Sequence, residues 1–258
     1  MRLLALLATS LTALGCGGAE RNGSAAPREL LPDLDQVAPD VVSVKRVGDR
    51  DLLVFVSAVE NLGAGPIVLD ARRDSTADPM PVVQEVERVD GSTATRPLRA
   101  FLRYVRAETH AHWHLEGFER YELRRIDGTS IGRDRKTGFC LGDRYERTTI
   151  ELPRKPPEPV WEEECEKGEP DALHVRQGIS PGYGDDYVPR LEGQSIDVTG
   201  LRPGRYLLVH VVNPDGTLAE SDRGNNAASA LVELSLKGGR LQVHVLRSCP
   251  ETDECVQR

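Results

Sequence analysis

The feature that most constrains the fold is a series of short β-branched runs separated by turn residues, without a sustained helical period. Three runs are the clearest, at residues 52–56, 206–212 and 230–236. A glycine pair at 238–239 separates the last of them from the alternating segment 241–245 and predicts a β-hairpin. The sequence therefore predicts an all-β protein, an antiparallel β-sandwich-like domain with long loops.

Composition divides the chain into four parts. The apolar run from Leu3 to Leu14 is shorter than the roughly 20 residues of a transmembrane helix, and it is typical of a secretory signal. The next segment is rich in Gly, Ala, Pro and charged residues and lacks periodicity, which indicates a flexible tether. The predicted parts are a signal peptide at 1–15, a tether at 16–39, a folded β domain at 40–247 and a C-terminal tail at 248–258.

The end of the signal resembles the lipobox of bacterial lipoproteins. Small residues precede Cys16, and in such proteins cleavage occurs before the cysteine, which is then acylated. The alternative is an ordinary signal peptide that contains a cysteine. Cys16 is therefore the predicted lipidation site of an exported protein, anchored to the bacterial cell envelope at the outer membrane, on its periplasmic side or at the cell surface.

The other four cysteines are an even set, as expected in an oxidising compartment. They allow three disulfide connectivities, of which we favour nearest-neighbour pairing, Cys140 with Cys165 and Cys249 with Cys255. Free buried thiols are the alternative. The formal net charge of −8 argues against a nucleic-acid partner and would attract cations, including amines.

Three of the six histidines recur at every second position, as His110, His112 and His114. On a β-strand this spacing places all three on one face, with Ala111 and Trp113 on the other, in packing. Imidazole nitrogens suit copper, zinc, iron or nickel, and the affinity order favours copper(II). The sequence therefore predicts a metal site on a strand, whereas the isolated histidines are expected to be ordinary core or surface residues.

A cupin offers a competing interpretation of the same segment. His112, His114 and Glu119 fit part of its first motif. However, Ile126 replaces an expected glycine, and Pro203 and Gly204 are adjacent where the second motif needs an intervening residue. The cupin pattern is therefore disfavoured.

Several segments, in order, resemble the catalytic domain of the lysyl oxidase family, which are copper amine oxidases with a peptide-derived quinone. Together they cover about residues 35 to 236. The segments are 52–63, the histidine run with Phe118 and Tyr121, 136–143, 177–187, and 196–226. Two departures are the absence of most cysteines of animal members and a spacing from His114 to Phe118 that is one residue shorter.

The resemblance implies a role for individual residues of this chain. Lys136 and Tyr187 match the pair that forms lysyl tyrosylquinone, next to copper(II) held by the three histidines. Asp185 matches a candidate general base, with Asp186 as the alternative because neighbours on an extended segment point to opposite sides. Without the resemblance, Lys136 would pass for a surface lysine in a basic run, and Tyr187 for a residue packed in a loop.

The implied activity is oxidative deamination of primary amines, including peptidyl lysine, to aldehydes. Molecular oxygen would be reduced to hydrogen peroxide, and ammonia would be released. Residues 40–247 would then be the catalytic domain, and the membrane would be contacted through the lipid anchor. A non-enzymatic metal-binding surface lipoprotein is the alternative, and it would need the histidines but neither Lys136 nor Tyr187.

Overall fold

The computed structural model describes residues 26–106, 111–134, 138–149, 151–191 and 193–255. These residues form strands and no helix, so none of them belongs to a helix that could cross a membrane. The predicted signal peptide, Cys16, His110 and Lys136 lie outside the described residues. The strands are β1 (Leu34–Gln36), β2 (Asp40–Val47), β3 (Arg50–Asn61), β4 (Ile67–Arg72), β5 (Met80–Glu87), β6 (Thr93–Arg106), β7 (Ala111–Leu115), β8 (Glu119–Arg125), β9 (Ser130–Arg133), β10 (Tyr145–Glu146), β11 (His174–Ile179), β12 (Tyr183–Tyr187), β13 (Ser195–Asp197), β14 (Gly204–Val212), β15 (Ala227–Lys237) and β16 (Arg240–Cys249).

The strands pair into three antiparallel sheets, which confirms the predicted all-β class. The first sheet has the order β1-β3-β12-β10, with β2 and β13 also paired to β3. The second has the order β11-β4-β5-β6-β7, and the third β16-β15-β14-β8-β9. The three predicted strand runs lie within β3, β14 and β15.

The predicted hairpin joins β15 to β16. Lys237 faces Arg240 across the turn, and Gly238 and Gly239 both have positive φ, at 58° and 73°. Two consecutive residues with positive φ are what the tight two-residue hairpin turn requires, and glycine adopts this conformation without steric cost. The glycine pair therefore fixes this connection, as predicted.

Strand β3 lies at the centre of the first sheet and positions β12. Residues 53–55 of β3 are buried without alternation, which is typical of a strand covered on both faces. Further along, Val59 faces Asp185 and Ser57 faces Tyr187 across the β3–β12 pair. Asp185 and Tyr187 are two residues apart, so the strand pleat places both side chains on the same, buried side.

The folded domain begins before the predicted boundary at residue 40. Strand β1 pairs with the end of β3, and Leu30 and Leu34 are buried in the core. A few apolar residues in a segment rich in proline and charge give no periodic signal. Composition alone therefore assigned these residues to the tether. At the other end, Cys255 is fully buried, so the predicted tail at 248–258 packs on the domain through at least residue 255.

Truncation of Leu34 tests this boundary. Leu34→Ala should lower the free energy of unfolding by about 2–5 kcal/mol, because the side chain is fully buried and its removal leaves a cavity. Urea denaturation followed by circular dichroism measures the change. Val47→Ala is the control, since Val47 is about half exposed on β2, and equal costs in the two variants would exclude residues 30–36 from the core.

Candidate active site

Two of the predicted histidine ligands lie side by side on β7. The ring centroids of His112 and His114 are 4.6 Å apart, and His114 is buried. β7 is hydrogen-bonded to β6, with His112 opposite Val105 and His114 opposite Arg103. The segment 111–115 is therefore a strand, as its two-residue period predicted, and the two imidazoles share one face.

Trp113 anchors the opposite face of β7. Its indole N–H donates a hydrogen bond to the carbonyl of Glu169 at 3.0 Å, and its ring packs edge-on against Tyr104 at 5.6 Å between centroids. The guanidinium of Arg73 lies 4.7 Å from the indole centroid. These contacts confirm that Trp113 faces packing, and they hold the histidine face towards the cavity described below.

The donor chemistry of this strand fits a transition metal. Imidazole nitrogens are preferred ligands of copper, zinc, iron and nickel, and the 4.6 Å ring separation places two of them next to each other. Across the described ranges, no three His, Cys, Asp or Glu side chains form a group that could hold a metal ion. His110, the third predicted ligand, lies outside those ranges.

Tyr187 and Asp185 form a buried pair on β12. The Tyr187 hydroxyl donates a hydrogen bond to Asp185 Oδ2 at 2.5 Å, and the Gly142 N–H donates to the same oxygen at 3.2 Å. Asp186, between them in sequence, is exposed. The alternation of the strand thus separates the favoured candidate base, Asp185, from the alternative, Asp186, and it places Asp185 against the tyrosine.

Burial controls the proton affinity of this pair. It raises the pKa of the Asp185 carboxyl to about 7, against the hydrogen bond from Tyr187 and the charge of Arg144, which favour the carboxylate. Burial and the neighbouring negative charge of Asp185 also raise the pKa of the Tyr187 hydroxyl well above its usual value. At neutral pH the tyrosine is therefore a phenol, and Asp185 exchanges a proton readily.

The residues that follow Lys136 lie between the histidines and the tyrosine. A Cβ added at Gly138 would come within 2.6 Å of the His114 Cβ, so only glycine allows this approach. The Phe139 ring packs edge-on against Tyr187 at 4.9 Å, and its backbone exchanges two hydrogen bonds with Leu115, at 2.8 and 3.0 Å. Residues 138 and 139 therefore bring β7 and β12 together.

A single cavity of about 330 Å³ joins these groups. His112, His114, Asp185 and Tyr187 all line it. Its remaining wall carries charges of both signs and a few apolar side chains, namely Cys140, Arg144, Glu164, Lys167, Asp186, Val188, Arg190 and Leu191. The structure thus brings together the predicted catalytic and metal-binding residues that fall within the described part of the chain.

Both predicted disulfides are present, Cys140–Cys165 and Cys249–Cys255. The first ties the segment after Lys136 to a long loop, residues 154–170, which forms no strand. The Cys165 carbonyl also accepts a hydrogen bond from the Trp113 backbone N–H at 3.0 Å, so the loop is fixed against β7. Two disulfides are typical of a protein exported to an oxidising compartment.

A second tyrosine–carboxylate pair lies in the core, and the sequence did not predict that its two members are in contact. The Tyr121 hydroxyl donates to the Glu119 carboxylate, which also accepts the Ser57 hydroxyl at 3.0 Å. Tyr121 is fully buried, and neither residue is among those that line the cavity. Glu119 therefore does not take the cupin-like position beside His112 and His114.

The fold and the site define an all-β domain in which a buried tyrosine–aspartate pair and two strand-borne histidines face one cavity. The family model described as lysyl oxidase matches residues 82–245. The chain therefore belongs to the lysyl oxidase family.

Curated relatives agree with this assignment. Human lysyl oxidase homolog 2 is 28% identical over 81% of this chain and 25% of its own length. Zebrafish lysyl oxidase homolog 3A is 28% identical over 81% of this chain and 26% of its own. Human lysyl oxidase homolog 3 is 31% identical over 76% of this chain and 20% of its own. The chain thus spans about a quarter, or less, of the length of each of these curated relatives.

Proposed function

We propose that this protein is a copper-dependent amine oxidase of the lysyl oxidase type, which converts primary amines, including peptidyl lysine, to aldehydes. Oxygen is the oxidant, and hydrogen peroxide and ammonia are the other products. One observation carries the proposal: Tyr187, bonded to Asp185, lines the same cavity as His112 and His114. These four residues belong to the set that the family resemblance assigns to the quinone, the base and the metal.

Each residue has a defined task in this proposal. Copper(II) and lysyl tyrosylquinone supply the two-electron oxidation that ordinary side chains cannot perform. His112 and His114, with His110, hold the metal, while Tyr187 provides the aromatic ring and Lys136 the amine from which the quinone is made. Asp185 accepts a proton from the carbon next to the substrate nitrogen, a task that suits a carboxyl with a pKa of about 7.

The position of Lys136 is a requirement of the proposal. Its side chain must reach Tyr187, and it precedes Gly138 by two residues. Gly138 packs on His114 and Phe139 packs on Tyr187, so the residues that directly follow the Lys136 segment lie close to both partners. This packing supports a cross-link between Lys136 and Tyr187.

The second buried tyrosine is a poorer candidate for the quinone. Tyr121 also bonds to a carboxylate two residues away, Glu119, but it is completely enclosed and does not line the cavity. A substrate amine has no access to a ring in that position. The cavity therefore favours Tyr187, in agreement with the family segment that carries it.

The substrate class and location follow from the family and the sequence. The names of the relatives denote oxidation of lysyl side chains, and the acidic chain, with a net charge of −8, favours encounters with cationic amines. We assign the protein to the bacterial cell envelope through a lipid on Cys16, with no nucleic-acid partner. The two disulfides support export.

A peroxide-coupled amine oxidase screen tests the proposal. Copper-loaded protein should release hydrogen peroxide with primary amines and lysine peptides, and a quinone-trapping hydrazine should abolish the signal. Metal binding without amine-dependent peroxide, after aerobic loading with copper, would favour the non-enzymatic lipoprotein instead.

Substitution of Gly138, which packs directly against β7, tests whether His114 binds the metal. Gly138→Ala should weaken copper binding by about 10-fold or more, because the new methyl group would displace His114 from its position beside His112. Titration with a copper chelator measures the affinity. Gly224→Ala is the control, since a Cβ there meets only the exposed side chain of Asp222, and it should bind copper like the parent protein.

A further inference from the structure

Arg144 is a charged residue of the cavity wall to which neither the sequence nor the family resemblance gives a role. It directly precedes β10, which pairs with β12, and its backbone N–H donates to the Gly184 carbonyl at 2.9 Å. The guanidinium lies against Gly142, where an added Cβ would come within 2.5 Å of the Arg144 Cζ. The backbone of β12 and the bare α-carbon of Gly142 thus fix where this side chain points.

On one side, the guanidinium contacts Asp185. Arg144 Nε lies 3.8 Å from Asp185 Oδ1, while Asp185 Oδ2 accepts the hydroxyl of Tyr187. Only 2% of the Asp185 side chain is exposed, so this carboxylate meets little screening by water. A cation at that distance stabilises the charged form of the carboxyl and orients it.

On the other side, Arg144 binds the acidic loop whose Glu164 lines the cavity. Its Nη1 donates to the Glu162 carbonyl and its Nη2 to the Glu163 carbonyl, each at 3.3 Å. The planar guanidinium suits this arrangement because its N–H groups point to several acceptors at once. Arg144 therefore joins the loop to the aspartate that the tyrosine contacts.

We propose that Arg144 is a positioning residue of the oxidase. Its guanidinium orients the Asp185 carboxylate towards Tyr187 and the substrate, and it holds residues 162 and 163 of the loop whose Glu164 lines the cavity. This inference rests on the proposed function for its catalytic consequence, but the orientation of Asp185 can be tested without any turnover.

The groups that face Asp185 define what a substitution would change. Tyr187 and Asp186 act from β12, and Arg144 and the Gly142 N–H act from the segment before β10. From β3 the facing residue is Val59, which carries no charge. Lys167 and Arg190 also line the cavity, but Arg144 is the cation that forms an ion pair with Asp185.

Arg144→Gln should therefore raise the pKa of Asp185 by about one unit from its value near 7. Carbon-13 NMR of aspartate carboxyls in full-length protein prepared without copper measures this shift, with Asp185→Asn identifying the signal. In copper-loaded protein, kcat/KM should fall about fivefold at pH 7 and recover near pH 9, because a smaller fraction of Asp185 is ionised at neutral pH.

Two further variants separate positioning from general damage. Arg144→Lys keeps the charge without the planar fork, so Asp185 should titrate within about half a unit of the parent. A glutamate-specific protease should nevertheless cut the 162–163 loop faster in both Arg144 variants. If the glutamine variant does not fold, unchanged loop cleavage in the lysine variant would overturn the proposal.

Arg147→Gln is the matched control, since Arg147 is also 27% exposed but pairs with Glu60 and Asp35 rather than Asp185. An unchanged Asp185 titration in Arg144→Gln, or an equal shift in the control, would overturn the role of Arg144. A shifted titration in a protein that oxidises no amine would instead refute the proposed function and leave the contact with Asp185 standing.

Discussion

Replacing Tyr187 with phenylalanine should abolish amine-dependent peroxide production while leaving copper binding intact. Quinone formation needs the phenol oxygen, and the substitution removes that oxygen alone, together with its hydrogen bond to Asp185. His112 and His114 lie on a different strand and keep their ring contact of 4.6 Å. A peroxide-coupled assay and a chelator titration on the same preparation measure both properties.

Tyr183→Phe is the control on the same strand. Tyr183 is buried like Tyr187, but its hydroxyl donates to the Pro156 carbonyl at 3.3 Å. It should retain amine oxidation and form the visible chromophore of the quinone. Peroxide production by the Tyr187 variant at the parent rate would show that this ring is not the cofactor.

Asp185→Asn should reduce kcat/KM by about 10²–10⁴-fold, the usual contribution of a general base. In the parent protein, activity should rise with pH through about 7, because burial raises the pKa of Asp185 and only the carboxylate accepts a proton. The variant should lose this ionisation from its pH–rate profile. Asp186→Asn should have a far smaller effect, since Asp186, although it also lines the cavity, is exposed, and the Tyr187 hydroxyl donates to Asp185.

The same substitution has a stability signature that does not depend on turnover. The pKa of Asp185 is higher in the folded chain than the usual value near 3.9, so the folded state holds this proton more tightly than the unfolded state. Stability from this group is present at low pH and is lost as pH rises from about 4 through 7. Denaturation of copper-free protein should therefore show Asp185→Asn gaining stability relative to the parent over that range, and parallel pH curves would contradict the assigned burial.

The strands could be predicted from the sequence where a turn required glycine or where a strand was buried on both faces. Residues 238–239 form the predicted hairpin because positive φ favours glycine, and residues 52–56 are apolar because β3 is covered on both sides. The burial of Leu30 and Leu34 could not be predicted, since they lie in a short apolar stretch interrupted by Pro32 and Asp33, and their partners lie on distant strands. Division of the strands into three sheets depends on such long-range pairing.

The residues of the site could largely be predicted from the sequence, but the side chains that surround them could not. The two-residue period placed His112 and His114 on one face, and alternation on β12 separated Asp185 from Asp186. Arg144 gave no signal, because an arginine in a polar segment is ordinarily exposed and its partners are set by tertiary packing. Lys136 and Tyr187 were identified through the family resemblance alone.

The central claim is that this chain makes its own quinone from Lys136 and Tyr187, and peptide mass spectrometry tests it most directly. Full-length protein is loaded aerobically with copper, digested and compared with Tyr187→Phe treated in the same way. We expect one cross-linked species that contains the peptides bearing Lys136 and Tyr187, and its absence from the variant. Recovery of both peptides separately, at their unmodified masses, from protein that has bound copper would contradict the account.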